Sequence, residues 1–177
     1  EQNLDRLIER IFRYGVSTVY LQAYADPDGD GVTDALYFPN RHLPVRADLF
    51  NRVAWQLKKR AGVKVYAWMP VLAYDLGDDY QYVTDVRTGQ ESPNQYRRLS
   101  PYVEENRRTI VEIYQDLGRL TKFDGLLFHD DAFYTDFEDA NPAALDAYAS
   151  ADLPRDINAI RNDDNLMTAW TRFKGEH

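Results

Sequence analysis

Apolar residues recur at two periods along the chain, and the switches between them mark alternating helices and strands. Leu4, Leu7, Ile8, Ile11 and Phe12 fall at helical spacing, which predicts a one-sided helix over residues 3–13 that Gly15 ends. Val16 to Ala25 is β-branched and aromatic instead, predicting a strand whose carboxyl end carries Gln22, Tyr24 and Asp26. Phe50, Val53, Ala54 and Leu57 give a second helix over residues 47–61, with Gly62 as its stop. Val63 to Pro70 reads as the second strand, with Trp68 near its end. Residues 71–100 are polar and loop-like. Ser100-Pro101 then offers a cap and a first-turn proline to a helix striped by Ile110, Ile113, Tyr114 and Leu117, ending at Gly118. Leu126-Leu127-Phe128, apolar throughout, predicts a buried parallel strand that stops at His129-Asp130-Asp131. A short helix over residues 142–148 follows, and Trp170 to Lys174 opens another as the sequence stops.

Helices and strands alternating at this spacing make βαβ units and a parallel sheet, so the fold class is α/β. Three clear strands do not close a barrel, for which eight are needed. The unfinished last helix favours one segment of a TIM-type (β/α) barrel over a small open sheet. Residues 1–177 therefore read as a single partial barrel domain.

Charge and composition narrow the chemistry. The net charge is −8 and the basic residues are scattered, which disfavours nucleic acid as a partner. No stretch is long and apolar enough for a membrane-spanning helix, and no signal peptide is recognisable. The absence of cysteine excludes disulfide and thiol chemistry. Aromatic residues make up 14% of the chain, which suits a sugar-binding cleft or an amphipathic core rim. Asp26-Pro27-Asp28-Gly29-Asp30-Gly31 opens like a calcium loop, but the twelfth position is Tyr37 rather than a bidentate Glu, so a tight turn is the expectation and no metal is assigned.

Polar residues at the carboxyl ends of greasy strands are where chemistry collects in α/β folds. Asp130 and Asp131 are adjacent carboxylates at such an edge, an arrangement that costs desolvation and repulsion. Strand alternation would place His129 with Asp131 and turn Asp130 away, but if the strand stops at His129 either Asp can enter a cleft. Adjacent residues do not make a complete acid and nucleophile pair, which points to Asp136 in the next loop, or to a residue beyond position 177, as the partner. Three consecutive residues cannot readily surround a metal ion, which disfavours a metal-dependent hydrolase.

The segments Val19-Tyr20-Leu21-Gln22-Ala23-Tyr24-Ala25-Asp26-Pro27-Asp28-Gly29-Asp30-Gly31, Tyr37-Phe38-Pro39-Asn40-Arg41-His42-Leu43-Pro44 and Phe123 to Ala132 resemble the C-terminal domain of PgaB/HmsF proteins. These are the poly-β-1,6-N-acetyl-D-glucosamine N-deacetylases of bacterial biofilm systems. The resemblance covers the whole chain but only the first part of that domain. More distantly, Leu99-Ser100-Pro101 and the Phe-Asp-Gly and His-Asp-Asp stretches resemble other glycoside-hydrolase-like barrels.

The resemblance implies a barrel that binds the exopolysaccharide and hydrolyses the partly deacetylated polymer internally, without a cofactor. The alternative is a non-catalytic binding domain that assists a separate N-terminal deacetylase domain. It also implies a periplasmic location, with attachment to the outer membrane through parts of the parent protein outside this chain. Asp130, Asp131 and Asp136 are then the candidate catalytic carboxylates. Tyr24, Trp68, Phe133 and Tyr134 are expected to stack on sugars, and Gln22, Asp26, Arg41, His42 and His129 to bind or position them.

Overall fold

The computed structural model describes residues 2–93 and 95–176; Glu1, Asn94 and His177 lie outside the described residues. The chain forms two compact units. One comprises Glu1–Gly29, Thr33–Val71 and Val111–Asp130, and the other Asp30–Val32, Leu72–Ile110 and Asp131–His177.

The first unit is built on three parallel strands. Helix α1 (Gln2–Tyr14) leads into β1 (Thr18–Gln22), and a two-residue pair, β2 (Tyr24–Ala25) with β3 (Ala35–Leu36), follows it. Helix α2 (Leu49–Gln56) runs on as a π-helical stretch (Leu57–Ala61) into β4 (Lys64–Met69). Helix α3 (Glu104–Leu120) precedes β5 (Gly125–Phe128). The sheet order is β1-β4-β5, parallel at both joints, with a helix in each crossover. That is the βαβ arrangement the alternating periods predict, but β5 is not the buried strand expected: among the described residues it pairs on one side only, with β4, and Leu127 and Phe128 are exposed.

Side-chain alternation sorts the sheet into two faces. Val65, Ala67 and Met69 of β4 are fully buried, as are Phe50, Ala54 and Leu57 of the preceding helix and Ile113 and Leu117 of α3. On the other face the register aligns Tyr20, Tyr66 and Gly125 in one row and Gln22, Trp68 and Leu127 in the next. Tyr20 and Tyr66 pack with ring centroids 5.5 Å apart. Tyr66 then extends over Gly125, where a Cβ would sit 2.4 Å from its Cε1.

The second unit sets helices alongside long irregular segments. Helices α4 (Pro142–Tyr148), α5 (Ile157–Arg161) and α6 (Asp164–Glu176) bury Leu145, Tyr148, Ile160 and Trp170 against Val86. Asn141 caps α4 by accepting the Ala143 amide at 3.0 Å, with Pro142 in the first turn.

Several boundaries differ from the sequence expectation. The predicted strand over Val16 to Ala25 is broken at Ala23, because the chain leaves the parallel sheet there to form the β2–β3 pair. Gly118 does not end α3, which runs on to Leu120; Thr121 closes it by donating its amide and hydroxyl to the Leu117 carbonyl. Nor does Ser100 start α3: its hydroxyl is spent on Asp139 at 2.6 Å, and the helix begins at Glu104. Helix α6 starts well before Trp170, because Asp163 accepts the amides of Asn165 and Leu166. Residues 71–100 are irregular as expected, held by bridges of Tyr82 with Leu99 and of Asp85 with Glu138.

Gly125→Ala forces a methyl into the Tyr66 ring, and overpacking of this kind costs about 1–3 kcal/mol. Urea denaturation of Gly125→Ala, Tyr66→Ala and the double variant checks this; the double variant is expected to be more stable than the two single effects summed.

Candidate functional site

The ladder continues one bond beyond each strand end. The Ala23 amide donates to the Trp68 carbonyl at 3.1 Å, and the His129 amide to the Met69 carbonyl at 2.8 Å. These two bonds bring together rings from three strands at the carboxyl edge. His129 stacks on Trp68 with a 9° interplanar angle and centroids 5.8 Å apart. Tyr24 meets both edge-on, 6.0 Å from Trp68 and 6.2 Å from His129. Tyr24 is buried, whereas Trp68 is half-buried. Gln22 is exposed beside them and donates its side-chain amide to the Tyr24 carbonyl at 3.0 Å.

The adjacent carboxylates part company. Asp130 follows the strand with its side chain 86% exposed, and its Oδ1 lies 2.9 Å from His129 Nδ1. Asp131 belongs to the other unit and is fully buried. Its Oδ2 accepts the Leu72 amide at 2.7 Å and the Ala73 amide at 2.6 Å, anchoring the segment that leaves β4. The turn after Phe128 breaks strand alternation, so one carboxylate faces solvent and its neighbour serves the backbone.

Arg41 and His42, in the same unit as these rings, are engaged by a helix instead. Arg41 pairs with Asp116 of α3 at 2.9 Å, and His42 Nε2 lies 2.6 Å from Glu112 Oε2 on the same helix. Both tie the long loop after β3 to α3. In the second unit Phe133 and Asp136 are exposed, and Tyr134 is half-buried. The Tyr134 hydroxyl faces inward, where burial first, and then Asp139 and Tyr102, push its pKa above the usual tyrosine value.

Asp26 accepts the Gly29 amide at 2.8 Å, confirming an Asp-Gly turn. Oxygens of Asp26, Asp28 and Asp34 also lie within 4.8 Å of one another, a separation that admits a cation. Asp30, the fifth position of the calcium-like pattern, accepts the Val32 amide instead.

Sequence reasoning missed a buried polar group in the second unit. Arg98 Nη2 donates to Glu138 Oε2 at 2.8 Å, with both side chains sealed from solvent. Asp139 accepts from Ser100, Asn141 and Thr84, and burial raises its pKa despite those bonds. Lys174 donates to the carbonyls of Asp136 and Glu138, and burial pushes its pKa down to about 8. The partners lie 36 to 40 residues apart along the chain, so no local pattern announces them.

A parallel βαβ sheet with an aromatic cluster and an exposed carboxylate at its carboxyl edge is the arrangement of a (β/α)-barrel-type domain. The family model described as hypothetical glycosyl hydrolase family 13 matches residues 1–177, and the chain belongs to that family. It is 47% identical over 98% of its length to the poly-β-1,6-N-acetyl-D-glucosamine N-deacetylase of Escherichia coli K12, and spans 26% of that protein. It superposes on the PgaB (BpsB) glycoside hydrolase domain from Bordetella bronchiseptica with a TM-score of 0.82 and 50% identity, covering 98% of this chain and 51% of that one. An α-L-fucosidase isoenzyme 2 from Paenibacillus thiaminolyticus shares the fold at 14% identity and a TM-score of 0.63, with 96% and 25% coverage.

Asp131→Asn replaces a carboxylate that holds two backbone amides and is expected to cost about 1.5–3 kcal/mol. Asp130→Asn, at an exposed position, is expected to stay within about 0.5 kcal/mol of wild type. Urea denaturation separates the two. Lys174 binds its proton less tightly folded than unfolded, so between about pH 8 and its ordinary value of 10.5 the unfolded state holds more protons. Stability of wild type relative to Lys174→Met is therefore expected to rise with pH across that window, measured by denaturation midpoints.

Proposed function

We propose that this chain forms part of a site that binds and internally hydrolyses partly de-N-acetylated poly-β-1,6-N-acetyl-D-glucosamine. The observation that carries the reading is the ring cluster of Tyr24, Trp68 and His129 with exposed Asp130 beside it. Half-buried Trp68 offers an aromatic face to a sugar ring, stacked on His129 just after β5. Asp130 protonates the departing glycosidic oxygen, with His129 Nδ1 2.9 Å from its carboxyl. Asp136, exposed in the loop that follows, is the second carboxylate we propose on the sequence argument alone. Asp131 shapes the edge by anchoring Leu72 and Ala73 and does not touch substrate.

Electrostatics favours this substrate class. A deacetylated glucosamine unit carries an ammonium, and the chain's charge of −8 includes exposed Asp130 and Asp136. The polymer named for the Escherichia coli relative and the hydrolase domain named for the Bordetella relative support polymer handling as the role. We place this activity in the periplasm, beside a deacetylase domain of the parent protein, in line with the N-deacetylase named for the Escherichia coli relative. A second reading, a non-catalytic polymer-binding domain, draws on the commitment of Asp131 to backbone amides, which leaves Asp130 the solvent-facing member of the pair.

The test is product analysis by mass spectrometry after incubating partly deacetylated polymer with the intact protein. Wild type is expected to release short oligosaccharides, and Asp130→Asn to bind polymer while losing at least about a hundredfold in turnover. Intact polymer from wild type with binding preserved would establish the binding reading instead.

A further inference from the structure

The loop over residues 132–139 follows the two carboxylates and has no regular structure, yet its backbone is gripped by buried Arg98 and half-buried Lys174. Arg98 Nη1 donates to the Phe133 carbonyl, Nη2 to Glu138 Oε2 at 2.8 Å and Nε to the Tyr96 carbonyl at 3.0 Å. Glu138 Oε2 also accepts the Thr135 amide at 3.1 Å, so the pair clasps the loop at two points. Lys174 holds two further carbonyls, those of Asp136 and Glu138. The Arg98 guanidinium carbon lies 4.9 Å from the Phe133 ring centroid, and Phe133 remains 41% exposed.

A buried ion pair is a poor source of net stability, because desolvation offsets its attraction. What it supplies here is direction. The planar fork of an arginine reaches three acceptors at once, which a lysine ammonium on its single point cannot reproduce. Bonds to the carbonyl of Phe133 and a cation beside its ring set both the backbone and the side chain of one exposed aromatic residue.

We infer that Arg98, with Glu138, is a positioning residue that presents Phe133 as a stacking platform for a sugar of the polymer. This rests on the polymer-handling reading above. Arg98 itself is too buried to touch substrate. Its effect on binding runs through Phe133, and loss of either residue removes the same contribution.

Calorimetric titration of the intact protein with a β-1,6-linked glucosamine oligosaccharide tests this, alongside amide hydrogen exchange of the loop. Arg98→Lys is expected to speed exchange at Phe133 to Thr135 and to weaken binding about five- to tenfold, as Phe133→Ala does. The double variant is expected to bind no more weakly than Phe133→Ala alone. Glu138→Gln, which keeps the shape and an acceptor, is expected to show a smaller change of the same kind and serves if Arg98→Lys does not fold. Wild-type binding that survives unchanged in the Arg98, Glu138 and Phe133 variants would overturn the inference alone. Multiplicative losses in the double variant would do the same. A wild-type protein that binds no oligosaccharide would overturn the polymer reading and this inference with it.

Discussion

The parallel ladder between β1, β4 and β5 is the constraint on which the first unit depends. Its register decides which residues share a row, and its two extra bonds, at Ala23 and His129, carry the pairing past the strand ends. They hold Tyr24 of β2 and His129, the residue after β5, beside Trp68 of β4. With them, three rings that are distant in sequence meet at one edge. The arrangement follows from backbone hydrogen bonding, which is indifferent to side-chain identity and so leaves those positions open to functional residues.

Buried polar groups in this molecule mostly serve loops. Asp131 accepts two amides from the segment after β4, Asp139 accepts from Thr84, Ser100 and Asn141, and Arg98 with Glu138 clasps residues 133–135. Irregular backbone cannot satisfy its own amides and carbonyls, and a buried carboxylate or guanidinium supplies the missing partners with direction. Long loops at strand ends therefore bring a cost in buried charge. The chain meets it with paired or multiply bonded groups rather than with apolar packing.

The same principle accounts for Arg41 and His42. Their loop is long and rich in proline, and charged residues in such a loop read as candidates for ligand contact. Asp116 and Glu112 on α3 engage them, so these side chains hold the loop to the helix. Exposed Asp130 and buried Asp131 make the complementary case: adjacent residues of one type have unlike environments because the chain turns between them.

The amino-acid sequence by itself determined the α/β class, the three parallel strands and their helical crossovers. Those features rest on local periodicity and on glycines such as Gly15 and Gly62, whose positive φ ends a helix wherever it falls. The strand break at Ala23, the run of α3 through Gly118 and the early start of α6 were decided by hydrogen bonds to partners that no periodicity marks. Only the tertiary structure chose between Asp130 and Asp131 as the solvent-facing carboxylate, turned the Tyr134 hydroxyl inward and joined Arg98 to Glu138. Each of these depends on what lies opposite a side chain across many residues, and that is a property of packing rather than of any stretch of sequence.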